Sequence, residues 1–397
     1  MLTELNIDNF KSLNPLSITL KPLTVFIGPN NSGKSSVIQA ITLVKKLFML
    51  GGNIDLSDLL SLDRYVNMGI WEDVAYDKEK PVEIRLAFRE NEFEYEFRVS
   101  IDGEGKVRES YSVRSEEIRS SGITSFQLPY SKRQSVEAHF TVGSGTSRTT
   151  VTVEWDGVRF SPTYEISSKM ESLLDILNNW YLKILILPHN TSMFVSPQTT
   201  VTFADTETLL KGVCKSLVVD PEYLMALVTL DSNVEDFVMD WMSRLFGLHV
   251  RGRVLPGNIG RIITRVRRGR TTIIVNEGGG INRVAFMLAA ISAAKRESLL
   301  LIEEPEADLY PRVQYDLAKA LIGAISEEKQ LLITTHSEHL VLGLFDAIAT
   351  GRIRGEDIVI YYFTKEGDVT KVSPIEVDRK GRPRRGIPGF LEWRFKS

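Results

Sequence analysis

Apolar positions along the chain recur with two different periods, and the changes of period divide it. Leu2, Leu5, Ile7 and Phe10 have the spacing of a half-buried strand. After the turn signal Asn14-Pro15, residues 17–27 read as a second strand. Residues 37–50 carry helical spacing and stop at Gly51-Gly52. Residues 53–75 show no clear period, with Trp71-Glu72-Asp73 in a loop or short helix. The pattern then shortens to strands at 82–88, 93–101, 136–142 and 149–155, with hairpin turns at Glu90-Asn91, Asp102-Gly103 and Asp156-Gly157. The Ser-, Gly- and Thr-rich stretches 119–125 and 143–150 read as mobile connections. Helical spacing returns at 168–181, 205–218, 221–230 and 233–246, around a strand at 182–187.

From about residue 250 strands and helices alternate. Residues 261–266 and 271–275 flank a basic turn as a hairpin. A helix at 282–295, a buried strand at 299–302, a helix at 313–325 and a buried strand at 331–335 follow. That alternation predicts a largely parallel sheet covered on both faces.

One stretch gives the pattern a chemical meaning. The apolar run Leu23 to Ile27 delivers Gly28-Pro-Asn-Asn-Ser-Gly-Lys-Ser-Ser36, of the form G-x-x-x-x-G-K-S, just before a helix. Strand, glycine-rich loop and helix in that order define a P-loop. Gly28 and Gly33 permit the turns that wrap a polyphosphate. The backbone of Asn30, Asn31, Ser32, Gly33 and Ser36 offers N–H groups at a helix N-terminus. Lys34 supplies a point charge for the outer phosphates, and the Ser35 hydroxyl is the expected Mg²⁺ ligand.

A second stretch, Ser298-Leu-Leu-Leu-Ile-Glu-Glu-Pro-Glu306, ends a buried strand in acids. It would set two carboxylates at the carboxyl edge of the sheet, beside the phosphate loop. Glu303 is suited to hold Mg²⁺ or its water, and Glu304 to orient or deprotonate an attacking water. His336, closing the next buried strand in Thr334-Thr335-His336-Ser337, would lie within reach of a γ-phosphate. In Glu277-Gly-Gly-Gly-Ile-Asn282, Asn282 takes the N-cap position of a helix. Two readings stand there: a second anion site on an exposed helix N-terminus, or a flexible glycine turn.

Composition narrows the classes. The 397 residues can bury a substantial core. A net charge of −3 gives no global attraction to nucleic acid, so any such binding needs a local patch. Cys214 is the only cysteine, which excludes an intramolecular disulfide and a cysteine metal cluster. The N-terminus lacks a signal-peptide profile and the longest mostly apolar stretch, 284–294, is too short to span a bilayer. A soluble, cytoplasmic protein without a membrane partner is expected. No heptad repeat of useful length is present, so no long coiled-coil arm is expected.

Assembled, these residues resemble the ABC-type ATPase heads of the SMC/RecF/OLD (overcoming lysogenization defect) group, and in particular the stand-alone ATPases of the OLD branch. The resemblance rests on Ile7-Asp-Asn-Phe-Lys-Ser-Leu13 ahead of the P-loop, on Ile302-Glu-Glu-Pro-Glu-Ala-Asp-Leu-Tyr-Pro311, on Thr335-His-Ser337 and on Pro388-Gly-Phe390. These anchor residues 1–50 and 275–345; the middle, about 80–250, matches only in layout. The resemblance implies an α/β P-loop NTPase: an ABC head with a mostly parallel sheet, an antiparallel β subdomain and a helical lobe. Residues 1–397 would form one head, divided into 1–80 with the P-loop, a β-rich insertion at 81–165, a helical lobe at 166–250 and a C-terminal lobe at 251–397.

The resemblance also implies roles. Lys34 and Ser35 are then Walker A residues, Glu303 the Walker B metal acid, Glu304 the catalytic base and His336 the switch histidine. Residues 306–310 become the D-loop. Gly278, Gly279, Gly280 and Asn282 become the signature that caps the γ-phosphate held by a second subunit, and Lys11 a nucleotide contact. The sequence departs from the pattern at Asn282, which replaces the signature serine but keeps an amide able to donate to phosphate. The metal acid is Glu, as is usual in the OLD branch. OLD nucleases carry a C-terminal Toprim domain; the sixty or so residues after His336 leave no room for one, so a nuclease would be a separate protein.

Three functions follow. The first is an ATPase that binds ATP and Mg²⁺, closes as a head-to-tail homodimer and reopens on hydrolysis, in DNA-associated repair or anti-phage defence. Arg261, Arg265, Arg267, Arg268 and Arg270, with the basic tail 379–385, would give a phosphate-backbone track for DNA. A solvated strand face paired with acids elsewhere explains the same residues. The second is a regulatory scaffold that senses ATP and holds or releases a nuclease or toxin without binding DNA. The third, a nucleotide subunit of a membrane transporter, lacks the L-S-G-G-Q signature.

Overall fold

The computed structural model describes residues 1–50, 54–61, 68–116, 118–129, 136–142, 149–155, 160–163, 165–187, 199–200, 206–215, 217–256, 259–266 and 269–387. Pro388-Gly-Phe390 lies outside them, as do Arg267, Arg268 and most of 143–150. In chain order the first elements are β1 (Leu2–Asp8), β2 (Leu16–Thr19), β3 (Leu23–Ile27) and α1 (Lys34–Leu50). Two short helices, α2 (Leu56–Leu60) and α3 (Trp71–Val74), lead to β4 (Val82–Glu90), β5 (Phe93–Ile101), β6 (Lys106–Arg114) and β7 (Ile118–Gln127). Then come β8 (Val136–Val142), β9 (Thr149–Trp155), β10 (Phe160–Pro162), α4 (Ser168–Asn179), β11 (Ile184–Leu187) and β12 (Thr199–Thr200). Helices α5 (Thr206–Lys215), α6 (Pro221–Leu230) and α7 (Ser232–Phe246) precede β13 (Leu248–Leu255), β14 (Ile259–Val266) and β15 (Thr271–Ile273). The chain continues through α8 (Gly279–Ala293), β16 (Leu299–Glu303), α9 (Pro311–Ser326), β17 (Gln330–Thr335), α10 (Glu338–Ala349), β18 (Ile358–Glu366) and β19 (Val369–Pro374).

These elements form two compact units. One takes Met1–Leu20, Ser35–Leu182 and Thr364–Lys371; the other takes Lys21–Lys34, Lys183–Phe363 and Val372–Ser397.

The first unit is built on an antiparallel sheet in the order β10-β9-β8-β7-β6-β5-β4-β1-β2. Alternation decides its buried face: Val82, Ile84, Leu86 and Phe88 of β4 lie against Ile101, Val99, Phe97 and Tyr95 of β5, register for register. Trp180 stacks on Phe97 at 4.9 Å between ring centroids, and Phe48 of α1 meets both rings edge-on. Three strands here went unread in the sequence, β6, β7 and the short β10, and the expected mobile connection at 119–125 is a strand paired with β6 along its length. After Ile118 no residue of β7 is fully buried. A strand without a buried face has no apolar alternation to signal it. Inside the same sheet Glu109 is buried with neither carboxylate oxygen partnered, and burial pushes its carboxyl up to about 8.

The second unit holds a sheet in the order β11-β16-β17-β3-β18-β19, parallel from β11 through β18. Its inner strands read as continuous apolar runs because both faces are covered. Leu23, Val25, Ile27, Leu300, Ile302, Leu331 and Ile333 belong to one core with Val284 and Leu288 of α8, Leu317 and Leu321 of α9, and Leu340 and Leu344 of α10. A smaller sheet, β12-β14-β13 with β15 beside β14, completes the unit.

Two boundaries differ from expectation. Residues 17–27 are not one strand: β2 pairs with β1 in the antiparallel sheet, whereas β3 lies between β17 and β18 in the parallel one. Pro22 separates them, having no N–H to continue a ladder. The helix expected to begin at residue 37 begins at Lys34, directly from the glycine-rich loop. Among the described residues no helix is long and apolar enough to cross a membrane.

Candidate functional site

Three neighbouring parallel strands end together in the second unit. Ile27 closes β3 opposite Thr335, which closes β17, and Thr334 lies opposite Glu303 at the end of β16. The loops after these strands carry the glycine-rich segment, His336 and Glu304, so the carboxyl edge of the sheet gathers all three.

The loop after β3 is curved by its backbone. Gly28 sits at φ +146° and Gly33 at φ +98°, with Asn31 at +60° between them. A Cβ at Gly28 would fall 2.2 Å from the Phe363 carbonyl oxygen, so only glycine fits there. Pro29, Asn30 and Asn31 stand exposed at the tip, Ser32 is buried, Ser35 is exposed and Ser36 half-buried. Lys34 is buried and folds back on the loop. Its Nζ donates to the carbonyls of Gly28 (3.1 Å) and Pro29 (2.8 Å) and to Ser32 Oγ (3.3 Å). Burial lowers its pKa to about 8, with Glu304 and Glu306 pulling the other way.

On the next strands the acids are held by a tight turn. Glu304 takes φ +45°, a region that costs a non-glycine residue energy and is found at functional sites. Its N–H donates to the Thr334 carbonyl (2.8 Å) and its carbonyl accepts from Ala307 N (3.1 Å). The side chain reaches His336, with Oε1 3.6 Å from Nε2. Burial and the Lys34 cation push the His336 pKa down, against Glu304 and the Gly28 backbone, so the imidazole is neutral at pH 7. Glu303 is half-buried at the strand end. Its carbonyl accepts a hydrogen bond from the Arg283 guanidinium.

Sequence reasoning passed over two residues here. Arg283 enters from α8 and faces Glu304, Glu306, Glu303 and Asp308, while burial lowers its pKa. A lone cation at the start of an otherwise apolar helix was the available signal. Glu306, read only as the start of the D-loop, is buried at 6% exposure. Its Oε1 accepts from Thr335 Oγ1 (2.6 Å), His336 N (2.9 Å) and Ser337 N (3.2 Å).

The glycine run before α8 departs from expectation. The N-cap is Gly278, not Asn282, which lies within the first helical turn. The Asn282 amide, expected to be available to phosphate, is buried and donates to the carbonyls of Glu277 (3.1 Å) and Gly278 (3.3 Å). Its position inside the helix leaves those carbonyls as the nearest acceptors. Gly278 and Gly279 are exposed, while Gly280 is buried against the Asp308 backbone. In the other unit Lys11, at φ +51°, donates to Gln39 Oε1 at 2.7 Å, and burial lowers its pKa.

The basic residues of β13 and β14 share a face. Register sets His249 opposite Arg265 and Arg253 opposite Arg261. A groove of about 370 Å³ runs between His249, Arg251, Arg253 and Arg265. Arg251 is paired with Glu235 and Asp236. No carboxylate among the described residues pairs with Arg253, Arg261, Arg265 or Arg270, whereas Arg85, Arg114, Arg244, Arg296 and Arg354 all have one.

The donor set fits the implied ligands. Glycines no side chain can replace, an exposed loop tip and a lysine held only by carbonyls and a hydroxyl suit a triphosphate. The Ser35 hydroxyl and the Glu303 carboxylate are hard oxygen donors of the kind Mg²⁺ takes.

A family model for the AAA ATPase domain matches residues 1–191 and 229–341. The OLD nuclease of Thermus scotoductus is 43% identical over 44 residues, which is 11% of this chain and only 8% of that protein's length. Among solved structures, the SMC head bound to the C-winged helix domain of ScpA superposes at a TM-score of 0.53 and 14% identity, over 95% of this chain and 98% of that one. The SMC head with an extended coiled coil bound to the C-terminal domain of ScpA, from Pyrococcus furiosus, gives 0.54 and 13%, over 94% and 96%. At such identities the likeness is one of fold.

The fold is therefore that of an SMC-type ABC ATPase head, a P-loop architecture with its glycine-rich loop at the sheet's carboxyl edge. The chain belongs to the AAA ATPase domain family.

Proposed function

We propose that the protein binds ATP with Mg²⁺, closes head-to-tail with a second copy and hydrolyses the nucleotide to reopen. The observation that supports this most is the meeting of Lys34, Glu304 and His336 at the ends of neighbouring strands. Magnesium, on Ser35 and Glu303 in the roles their motifs give them, would neutralise charge on the triphosphate.

Lys34 exchanges its loop carbonyls for phosphate oxygens, a stronger, charge-assisted set of acceptors. Glu304 orients a water and takes its proton as oxygen attacks the γ-phosphorus and the bond to ADP breaks. Neutral His336 offers an N–H to the γ-phosphate and so senses its presence. The exposed Gly278 and Gly279 N-terminus of α8 would face the γ-phosphate held by the second copy, with backbone N–H groups in place of the Asn282 amide.

Glu304→Gln keeps the shape and removes the base. It is expected to lower turnover about 100-fold or more while holding ATP and a dimer in size-exclusion chromatography with ATP and Mg²⁺. Wild-type turnover would remove Glu304 from this role.

The cycle is proposed to act on DNA, through Arg253, Arg261 and Arg265, which share one sheet face and have no carboxylate partner among the described residues, in repair or anti-phage defence. Salt-titrated DNA binding with and without ATP tests it. No binding in low salt would leave the second function, a cytoplasmic ATP-sensing scaffold for a nuclease or toxin.

A further inference from the structure

Glu306 is the third acid of its run, and its surroundings differ from those of the other two. One carboxylate oxygen collects three donors, all from the loop that carries His336: Thr335 Oγ1, His336 N and Ser337 N. Thr335 Oγ1 in turn accepts from Ser337 N at 2.9 Å, and Ser337 Oγ caps α10 through Leu340 N. The other oxygen, Oε2, is buried without a partner. A buried carboxylate with an unsatisfied oxygen is expensive. A side chain serving only to fill space would avoid it.

The placement has a consequence for the site. Glu306 belongs to the same turn as Glu304, closed by Ala307 N on the Glu304 carbonyl, the turn in which Glu304 takes its left-handed φ. From there it holds the backbone of His336 from below. Glu304 and His336 stand on the loops after two separate strands, so their separation of 3.6 Å depends on what ties those loops together. Among the described residues the direct ties between those loops are the Glu304 N–H to Thr334 and the Glu306 carboxylate, with Gln314 bridging Ser337 to Leu309 besides.

We propose that Glu306 is a positioning residue for the hydrolytic step, setting the distance between the water-orienting carboxylate and the γ-phosphate-sensing imidazole. Resting on the ATPase reading above, it assigns Glu306 no contact with nucleotide. Its effect is expected mainly on turnover, because Lys34 donates its hydrogen bonds to Gly28, Pro29 and Ser32 and feels the Glu306 charge only at a distance.

The test compares Glu306→Met, which fills the space with no acceptor, and Glu306→Gln, whose amide oxygen can accept the same three donors. Turnover is followed by phosphate release and ATP affinity by calorimetry, in the full-length protein. Glu306→Met is expected to lower kcat about 10- to 100-fold with ATP affinity within about twofold of wild type, and Glu306→Gln to recover most of the loss. Thr335→Val, which deletes one donor from an isosteric side chain, should lower kcat by a smaller factor at unchanged affinity. Wild-type kcat in Glu306→Met, or equal losses in Met and Gln variants, overturns the proposal. If Glu306→Met does not fold, wild-type kcat in Thr335→Val overturns it instead. Wild-type protein that neither binds nor hydrolyses ATP overturns the underlying ATPase reading, a separate result.

Discussion

Two glycine-rich loops each lead into a helix, and they use glycine for different physical reasons. In the loop after β3, Gly28 and Gly33 stand at φ +146° and +98°, values L side chains rarely adopt. The chain there is bent by its backbone, and Lys34 folds back onto the bend. In the run before α8, Gly278 is at φ −59° and ψ 153°, ordinary for any residue. Glycine is needed at 280 for another reason: a Cβ would meet the Asp308 carbonyl oxygen at 2.6 Å. One loop takes its curve from backbone angles that only glycine adopts readily. The other lets a helix start lie close to the acidic loop and leaves Gly278 facing open space.

The largest effect should come from Gly28→Ala. It places a side chain at a disallowed φ and 2.2 Å from a backbone oxygen of Phe363, which cannot swing aside. Strain of this kind costs roughly 1–3 kcal/mol and distorts the loop that Lys34 shares. ATP affinity by calorimetry is expected to fall about 100-fold or more. Unchanged affinity would mean that curvature of this loop does not matter for binding.

Gly280→Ala comes next. Its backbone is helical and takes alanine readily, so the penalty is steric only. Contacts at 2.6 Å to Asp308 O and 2.7 Å to Leu309 Cδ2 must be relieved by moving the acidic loop or the helix start. Overpacking of this sort costs roughly 1–3 kcal/mol, read as a drop in melting temperature. A variant as stable as wild type would show that the two segments slide apart freely.

What the sequence made legible follows the same division. The first loop was readable because its chemistry and its backbone demands coincide: Gly28, Gly33 and Lys34 are needed at fixed spacing whatever surrounds them. Strands β16 and β17 were readable because burial on both faces leaves an unbroken apolar run ending in Glu303 and Thr335. The role of Asn282 was not, since whether an amide faces phosphate or its own helix depends on a one-turn shift of the N-cap. Glu306 looked like one acid among several, and only the return of β17 beside β16 brings Thr335, His336 and Ser337 onto it. The polar strand β7 left no signal at all, as its partner, not its own side chains, fixes it.

Lys34 sharpens the contrast through pH. With its pKa lowered to about 8 in the free protein, the unfolded chain holds more protons from there up to the ordinary lysine value of 10.5. Stability from this group therefore rises with pH across that window. A bound triphosphate favours the ammonium and raises the pKa again. Near pH 8, ATP binding should take up about half a proton, and almost none at pH 6.5. Calorimetry in buffers of different ionisation heat measures this. No buffer dependence at pH 8 would place the lysine elsewhere when nucleotide binds.

The smallest structural effect belongs to Gly278→Ala, and for that reason it discriminates best. A Cβ there meets nothing within 4 Å and the backbone already suits alanine, so the monomer should fold with stability within about 0.5 kcal/mol of wild type. ATP affinity of the isolated chain should also be unchanged, since Lys34 and its loop are untouched. If the exposed start of α8 serves a second copy, the added methyl lies where a phosphate must approach the backbone N–H groups. Hydrolysis and ATP-dependent dimerisation should then fall together in a protein that is otherwise wild type. Unimpaired dimerisation and turnover would reduce the glycine run to close packing at Gly280 alone, and would leave hydrolysis to the residues of a single chain.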